Sequence, residues 1–291
     1  MATTELQAPA TAAPEKAPRK ERKKLSMEFV ITILALIWIG FTLLLAFLPG
    51  VFTPQDPTLL HPTDALKAPG DGFVLGTDQY GKSIWTLIVY GANQAVIIGL
   101  SATAVAVIFG GIIGLWGGYA GGATDMILGR IIDTLMCFPG VLLALIIATA
   151  LGPSTRNLII AVGVGSIPGF ARVMRGQVIS VRSRLYVEAA RALGFSQLRI
   201  IFKHVLPNSL APMVVLGTIN IGGAIVAAAS LSFLGFGPKT SVPDWGQLLA
   251  LGQPYLSVAW WISTFPGIAI TLTVLSISIL GDWLRDRLDT D

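Results

Sequence analysis

Cysteine and histidine are nearly missing from this sequence of 291 residues, which holds one Cys (Cys137) and two His (His61 and His204). A single cysteine excludes an intramolecular disulfide and a Cys-built zinc cluster, and two histidines are too few for a histidine-built metal site. Cys137 reads as a small apolar side chain inside a helix. Charge is scarce as well. Only 12% of the residues are charged, 20 basic and 16 acidic, about half the share found in ordinary soluble proteins. So few charges cannot furnish the solvated surface of a cytosolic enzyme of this length. Disorder is excluded too, because it needs low hydrophobicity and high net charge. The composition is instead 53% hydrophobic with a mean hydropathy of +0.73, so lipid is the solvent for most of the chain.

Residues 1–28 are polar and carry Lys16, Arg19, Lys20, Arg22, Lys23 and Lys24. They read as a flexible cytoplasmic basic tail. The apolar run that follows is longer than a signal-peptide core and lacks a cleavage site, so it reads as an uncleaved anchor. Residues 29–291 form the transmembrane domain. Six runs approach the roughly 20 apolar residues that a bilayer core requires: Val30–Leu48, Ala95–Trp116, Leu135–Leu151, Leu158–Met174, Ala211–Leu234 and Trp260–Leu280. Open backbone polar groups are not tolerated in hydrocarbon, so the fold class is an all-α integral membrane protein. The segment 51–93 is expected outside, with an interfacial helix Ser83–Tyr90.

Basic residues set the orientation. With both termini cytoplasmic, sixteen Lys and Arg fall inside and four (Lys67, Lys82, Arg156 and Lys239) fall outside, a strong positive-inside bias. The opposite orientation inverts it. The net charge of +4 therefore reads as topology and not as nucleic-acid binding.

Gly76–Ser83 fits the phosphate-loop pattern G-x-x-x-x-G-K-[ST]. No apolar strand precedes it, a membrane-directed segment follows, and the orientation puts it outside the cell. It reads as a turn at the external mouth, with Asp78 and Lys82 solvated.

The loop 175–208 is the most informative stretch. Arg184–Leu193 reads as a helix with Leu185, Ala189, Ala192 and Leu193 on one apolar side. Gly194 ends it. Ser196 is a candidate N-cap for a second short helix, which Pro207 keeps from continuing far. Two functions are open at this point. The seven basic residues between Arg172 and Lys203 could anchor topology against anionic lipid, or the apolar side and the glycine bend could dock a partner.

Glu188-Ala189-Ala190-Arg191-Ala-Leu-Gly194, followed by Leu206-Pro207, resembles the E-A-A-x3-G-x9-I-x-L-P loop of permease subunits from bacterial ABC importers. His204 stands at the isoleucine position, and His204-Val-Leu-Pro207-Asn208 is similar to the H-x-L-P-N form of the dipeptide/oligopeptide branch. Leu75–Gly81, Arg130–Asp133 with Phe138-Pro139, Ser230–Gly235 and Gly281–Asp289 resemble further segments of its C-type subunit. The similarity runs from about residue 30 to residue 291. Lys82-Ser83, Asn93-Gln94, Ala227–Ala229 and Ile167 depart from that pattern toward the membrane or its outer side.

The resemblance implies a type I importer permease fold in the bacterial inner membrane. It implies a second, B-type permease subunit, two ATP-binding subunits that carry ATP and Mg, and an extracellular substrate-binding protein. No cofactor and no catalytic residue is expected in this chain, and no nucleic-acid partner. Coupling to the ATP-binding subunits falls to Glu188, Ala189, Ala190, Arg191, Gly194, Phe195, His204 and Pro207. In that assignment Ala189 and Ala190 permit close approach, Gly194 supplies the bend, and His204 bonds locally. Peptides are the implied cargo. Nickel chelates, glutathione or haem-like ligands are the alternatives.

A secondary transporter or channel would carry ionisable groups in mid-span, and the span centres here are nearly free of them. Arg130 and Asp133, at i,i+3, are expected to pair with each other. An intramembrane enzyme would need a nucleophile with a base, and His204 and Cys137 lie in different regions.

Overall fold

A computed structural model describes residues 27–288; the basic positions of the N-terminal tail lie outside the described residues. Those residues form helices α1 (Met27–Phe47), α2 (Pro49–Phe52), α3 (Ile84–Ala120), α4 (Gly122–Met136), α5 (Gly140–Leu151), α6 (Thr155–Arg182), α7 (Leu185–Ala192), α8 (Gln197–Ile200), α9 (Leu206–Leu231), α10 (Trp245–Gly252) and α11 (Trp261–Leu288). No strand occurs among them. Five helical stretches are long and apolar enough to cross a membrane, and the number is six when the bent pair α4–α5 is taken as one span.

Four expectations are corrected. The interfacial helix Ser83–Tyr90 is not separate from the second span, because α3 runs unbroken from Ile84 to Ala120. The polar pair between them is satisfied from other helices: the Asn93 amide donates to Ala46 O at 2.9 Å, and Gln94 Oε1 accepts from the Thr155 hydroxyl. At 1.5 Å per residue, α3 is about 55 Å long, well beyond a hydrocarbon core of about 30 Å. The third span is not one helix either. The chain turns by 88° between α4 and α5, at Cys137-Phe138-Pro139, where proline offers no N–H and disfavours helix in the residue before it. Cys137 is therefore an exposed helix end, with its thiol on Asp133 O, and not an interior helix residue. Finally, Arg130 does not pair with Asp133. Asp133 meets Arg172, and Asp125 takes a two-pronged grip from Arg175 at 2.5 and 2.9 Å. Two arginines counted toward topology thus also tie α6 to α4.

The α3–α6 crossing is a backbone contact. A Cβ on Gly110 would lie 2.6 Å from Phe170 Cβ. On Gly114 it would lie 2.4 Å from Ala171 O, and on Gly118 2.8 Å from Arg175 O. Glycine at every fourth position lets two helices approach this closely. The core splits into three layers around that crossing. One lies at the far end, around Leu87, Trp245 and Ile262. A middle layer gathers around Ala102, Ala144, Ala161 and Ala228. The third lies at the arginine-rich end, around Phe170, Met174, Val187 and Ile200.

At the far end an indole ties down the 53–83 segment, Trp261 Nε1 donating to Thr77 O at 3.0 Å, and a second indole joins α10 to α3, Trp245 Nε1 donating to Ile88 O at 2.9 Å. Asp78 is buried, which corrects its expected solvation. Its Oδ1 accepts the N–H groups of Tyr80 and Lys82, both at 2.8 Å, and Gly81 N–H returns to Asp78 O. Gly81, at φ +76, sits where a Cβ would fall 1.8 Å from His61 O. The amides that would cradle a phosphate are spent inside the turn, so the phosphate-loop match has no phosphate-binding geometry.

Burial raises the Asp78 carboxyl above its ordinary value of 3.8, against the lowering effect of the two N–H groups. The native state therefore favours the neutral acid. That contribution is complete below the unfolded value and is lost as pH rises through the raised one. Asp78→Asn keeps the Oδ1 acceptor and removes the titration. The melting temperature of wild type relative to Asp78→Asn should fall as pH goes from about 4 to about 7. A difference that stays constant across that range would contradict it.

Candidate functional site

The segment joining α6 to α9 stands at the arginine-rich end of the bundle. Arg182, the last residue of α6, donates to Tyr119 O at 2.9 Å and fixes the exit of the chain. After Ser183 the chain enters α7. Val187 and Ala190 face inward and are buried with Val178, Val181 and Ile200. The apolar side read from the sequence faces the other way: Leu185 is 83% exposed and Leu193 74%, with Ala189 and Ala192 also exposed. A helix of eight residues with apolar groups on both sides is seated by one and presents the other.

Gly194 closes α7 at φ +79. Gly194 N–H donates to Arg191 O at 3.0 Å and Phe195 N–H to Ala190 O at 3.2 Å, the paired bonds of a Schellman ending. No atom lies within 4 Å of a Cβ placed on Gly194. The glycine is therefore required by backbone conformation and not by crowding. Ser196 then caps α8 as expected, its hydroxyl accepting Arg199 N–H.

The second helix does not stop before Pro207, contrary to expectation. A π turn over Ile201–Val205 joins α8 to α9, and Pro207 falls in the first turn of α9. The wider π turn lets the helix pass a ring that would otherwise meet the carbonyl four residues earlier. The Asn208 side chain donates to His204 O at 2.7 Å.

His204 is not held by a local hydrogen bond. Its Nε2 is buried without a partner among the described residues. The ring stacks on Phe195 (centroids 6.3 Å apart, planes at 18°) and lies beside Tyr186 at 6.3 Å. Arg199 caps Phe195 from the other direction at 4.5 Å. Packing of this kind binds α7, the Gly194 bend and the π turn into one unit. Ala190 belongs to the interior of that unit, so close approach from outside is left to Ala189. Glu188 and Arg191 are exposed, and neither takes part in the three ion pairs found among the described residues. No group of three or more potential metal ligands occurs among the described residues.

Two features escaped the sequence reading. The Gly110, Gly114 and Gly118 spacing was legible as a small-residue stripe, but its partner helix was not. The partners of Asp125 and Asp133 lie 50 and 39 residues away in the chain, beyond any local rule.

Known proteins agree with this architecture. Residues 106–291 match the family described as "Binding-protein-dependent transport system inner membrane component". The chain is 40% identical over 272 residues to a dipeptide transport system permease protein, DppC, of Alkalihalophilus pseudofirmus, covering 94% of this chain and 90% of that one. It is 36% identical over 260 residues to a glutathione transport system permease protein, GsiD, of Pectobacterium atrosepticum, covering 89% and 86%. An inward-facing structure of the MetNI methionine ABC transporter superposes with a TM-score of 0.53 at 21% identity, covering 69% of this chain and 96% of that chain; it supports the fold alone. By family match and by identity across nearly its whole length, this chain belongs to the binding-protein-dependent transport system inner membrane components, as a multi-pass permease of the bacterial inner membrane in the DppC branch of ABC importers.

Proposed function

We propose that this chain forms half of the translocation path for short peptides in an ATP-driven importer. It pairs with a B-type permease subunit. It receives cargo from an extracellular binding protein and is driven through α7 by two ATP-binding subunits. The observation that carries this reading is α7 itself. Its inner side is locked to the bundle, while Leu185, Ala189 and Leu193 stand exposed beside unpaired Glu188 and Arg191. A rigid unit with an unsatisfied apolar face suits a socket on a neighbouring subunit. The basic residues around it support placing this end and both termini in the cytoplasm. The glutathione relative keeps a second cargo, a glutathione-like peptide conjugate, in view.

The test uses cells expressing the four transporter subunits and the binding protein. Dipeptide uptake should require ATP-binding subunits that hydrolyse ATP, and dipeptides should compete better than glutathione. Uptake that persists without those subunits would sink the reading. In the same cells, with Cys137 replaced by Ser, an impermeant thiol reagent should label Thr63→Cys and leave Ser196→Cys untouched. The reverse pattern would invert the orientation.

A further inference from the structure

A groove of about 720 Å³ opens between α3 and the run from α8 to α9, at the arginine-rich end of the bundle. None of its lining residues is charged. Ile108, Ile112 and Trp116 form one wall, Phe202, Leu206 and Leu210 the other, and Met174 lies at its floor. Trp116 (66%) and Phe202 (64%) are largely exposed. A bond between the Tyr119 hydroxyl and Gln197 Oε1 bridges its walls at the basic end. One cation stands at that bridge, and two more sit on the adjoining run of α8 and the π turn. Arg182 reaches Tyr119 O. Arg199 and Lys203, one residue on from Leu198 and Phe202, form the helix stripe beside the one that lines the groove. Asp125 acts on Arg182, whereas Arg199 and Lys203 take part in none of the ion pairs among the described residues, and Glu188 is the only acid between Asp133 and Asp244.

We infer that this groove holds a phospholipid with an anionic headgroup. One acyl chain lies between α3 and α9, with the phosphate against Arg199 and Lys203. An apolar trough ending in an aromatic rim and cations matches such a lipid from tail to head. The occupant would press on the π turn that carries α7, so lipid composition would bear on the coupling unit. On the proposed orientation this is the cytoplasmic leaflet. That name rests on the reading above, whereas the groove's chemistry does not, and the labelling experiment tests the orientation separately.

Trp116 reports occupancy. The assembled transporter is placed in phosphatidylcholine nanodiscs containing a lipid with brominated tails, either phosphatidylglycerol or phosphatidylcholine. Trp116 quenching is taken as the difference from Trp116→Phe. Brominated phosphatidylglycerol should quench at lower mole fraction, by about fivefold for each of the two cations. Arg199→Gln combined with Lys203→Gln should erase that preference and leave quenching by brominated phosphatidylcholine unchanged. Gly111→Leu has only the Met213 methyl, at 3.6 Å, to displace; by filling the groove it should lower quenching by phosphatidylglycerol. Equal quenching by both lipids in wild type would mean ordinary boundary lipid. No quenching by either would mean that protein covers the groove. Either result, or an unaffected Gly111→Leu, overturns the inference.

Discussion

Gly194→Val should abolish most uptake while leaving a subunit that inserts and purifies. At φ +79 a β-branched residue is strained by roughly 1 to 2 kcal/mol. Because nothing lies within 4 Å of the new Cβ, the strain is relieved by re-aiming the chain and not by unfolding the bundle. Loss of both Schellman bonds frees α7 to tilt. A docking penalty of about 1.4 kcal/mol lowers the affinity for the partner socket about tenfold, and co-purification of the ATP-binding subunits should fall with it. Gly194→Asn is the discriminating companion, since asparagine tolerates the left-handed region; it should keep most uptake. Glu188→Lys should mimic Gly194→Val by adding positive charge to a surface already rich in arginine. Substrate capture by the external binding protein should be the same in all three. Normal assembly and uptake in both Gly194→Val and Glu188→Lys would remove α7 from the coupling role.

The second large effect lies inside the membrane. Gly114→Leu forces a side chain into a space where even a Cβ would sit 2.4 Å from Ala171 O. A backbone carbonyl cannot rotate away as a side chain can, so α3 and α6 must separate. The cost is roughly 3 kcal/mol or more, enough to prevent accumulation of folded subunit. Gly176→Leu on α6, where nothing lies within 4 Å, should be neutral and serves as the control for adding leucine to a span. Membrane yield and thermal unfolding in detergent report both. Equal yields for the two variants would show that the crossing is looser than its glycines indicate.

The spans were legible because each apolar run approaches the bilayer's thickness, a one-dimensional property of the chain. Helix breaks within them were less so. Pro139 stood inside the third run, yet hydropathy averages over it, and only the structure shows the chain turning there. The junction from Ser83 to Ala95 failed the opposite way: Asn93 and Gln94 looked like a boundary because their partners, Ala46 O and Thr155, come from other helices. In the segment joining α6 to α9, Gly194 and Ser196 were readable because helix endings are local chemistry. The seating of α7 was not, because Val187 and Leu185 are equally apolar in sequence. The choice between them is made by Val178, Val181 and Ile200. His204 shows the same limit, since its ring is fixed by Phe195 and Tyr186 instead of by a hydrogen bond.

The glycine notch between α3 and α6 also has a mechanical meaning. Interlocked backbones cannot slide, so the two helices act as one stiff beam. At 1.5 Å per residue α6 is about 42 Å long, and a tilt of about 5° at the α7 end would swing the opposite end by about 4 Å. The hydrogen-bond ladder is broken elsewhere, at the 88° elbow of Cys137–Pro139, the π turns at Ile201–Val205 and Ser232–Phe236, and the prolines inside α6, α9 and α11 (Pro168, Pro212 and Pro266). The stiffness of those breaks would then set how readily a movement at α7 reaches the rest of the bundle.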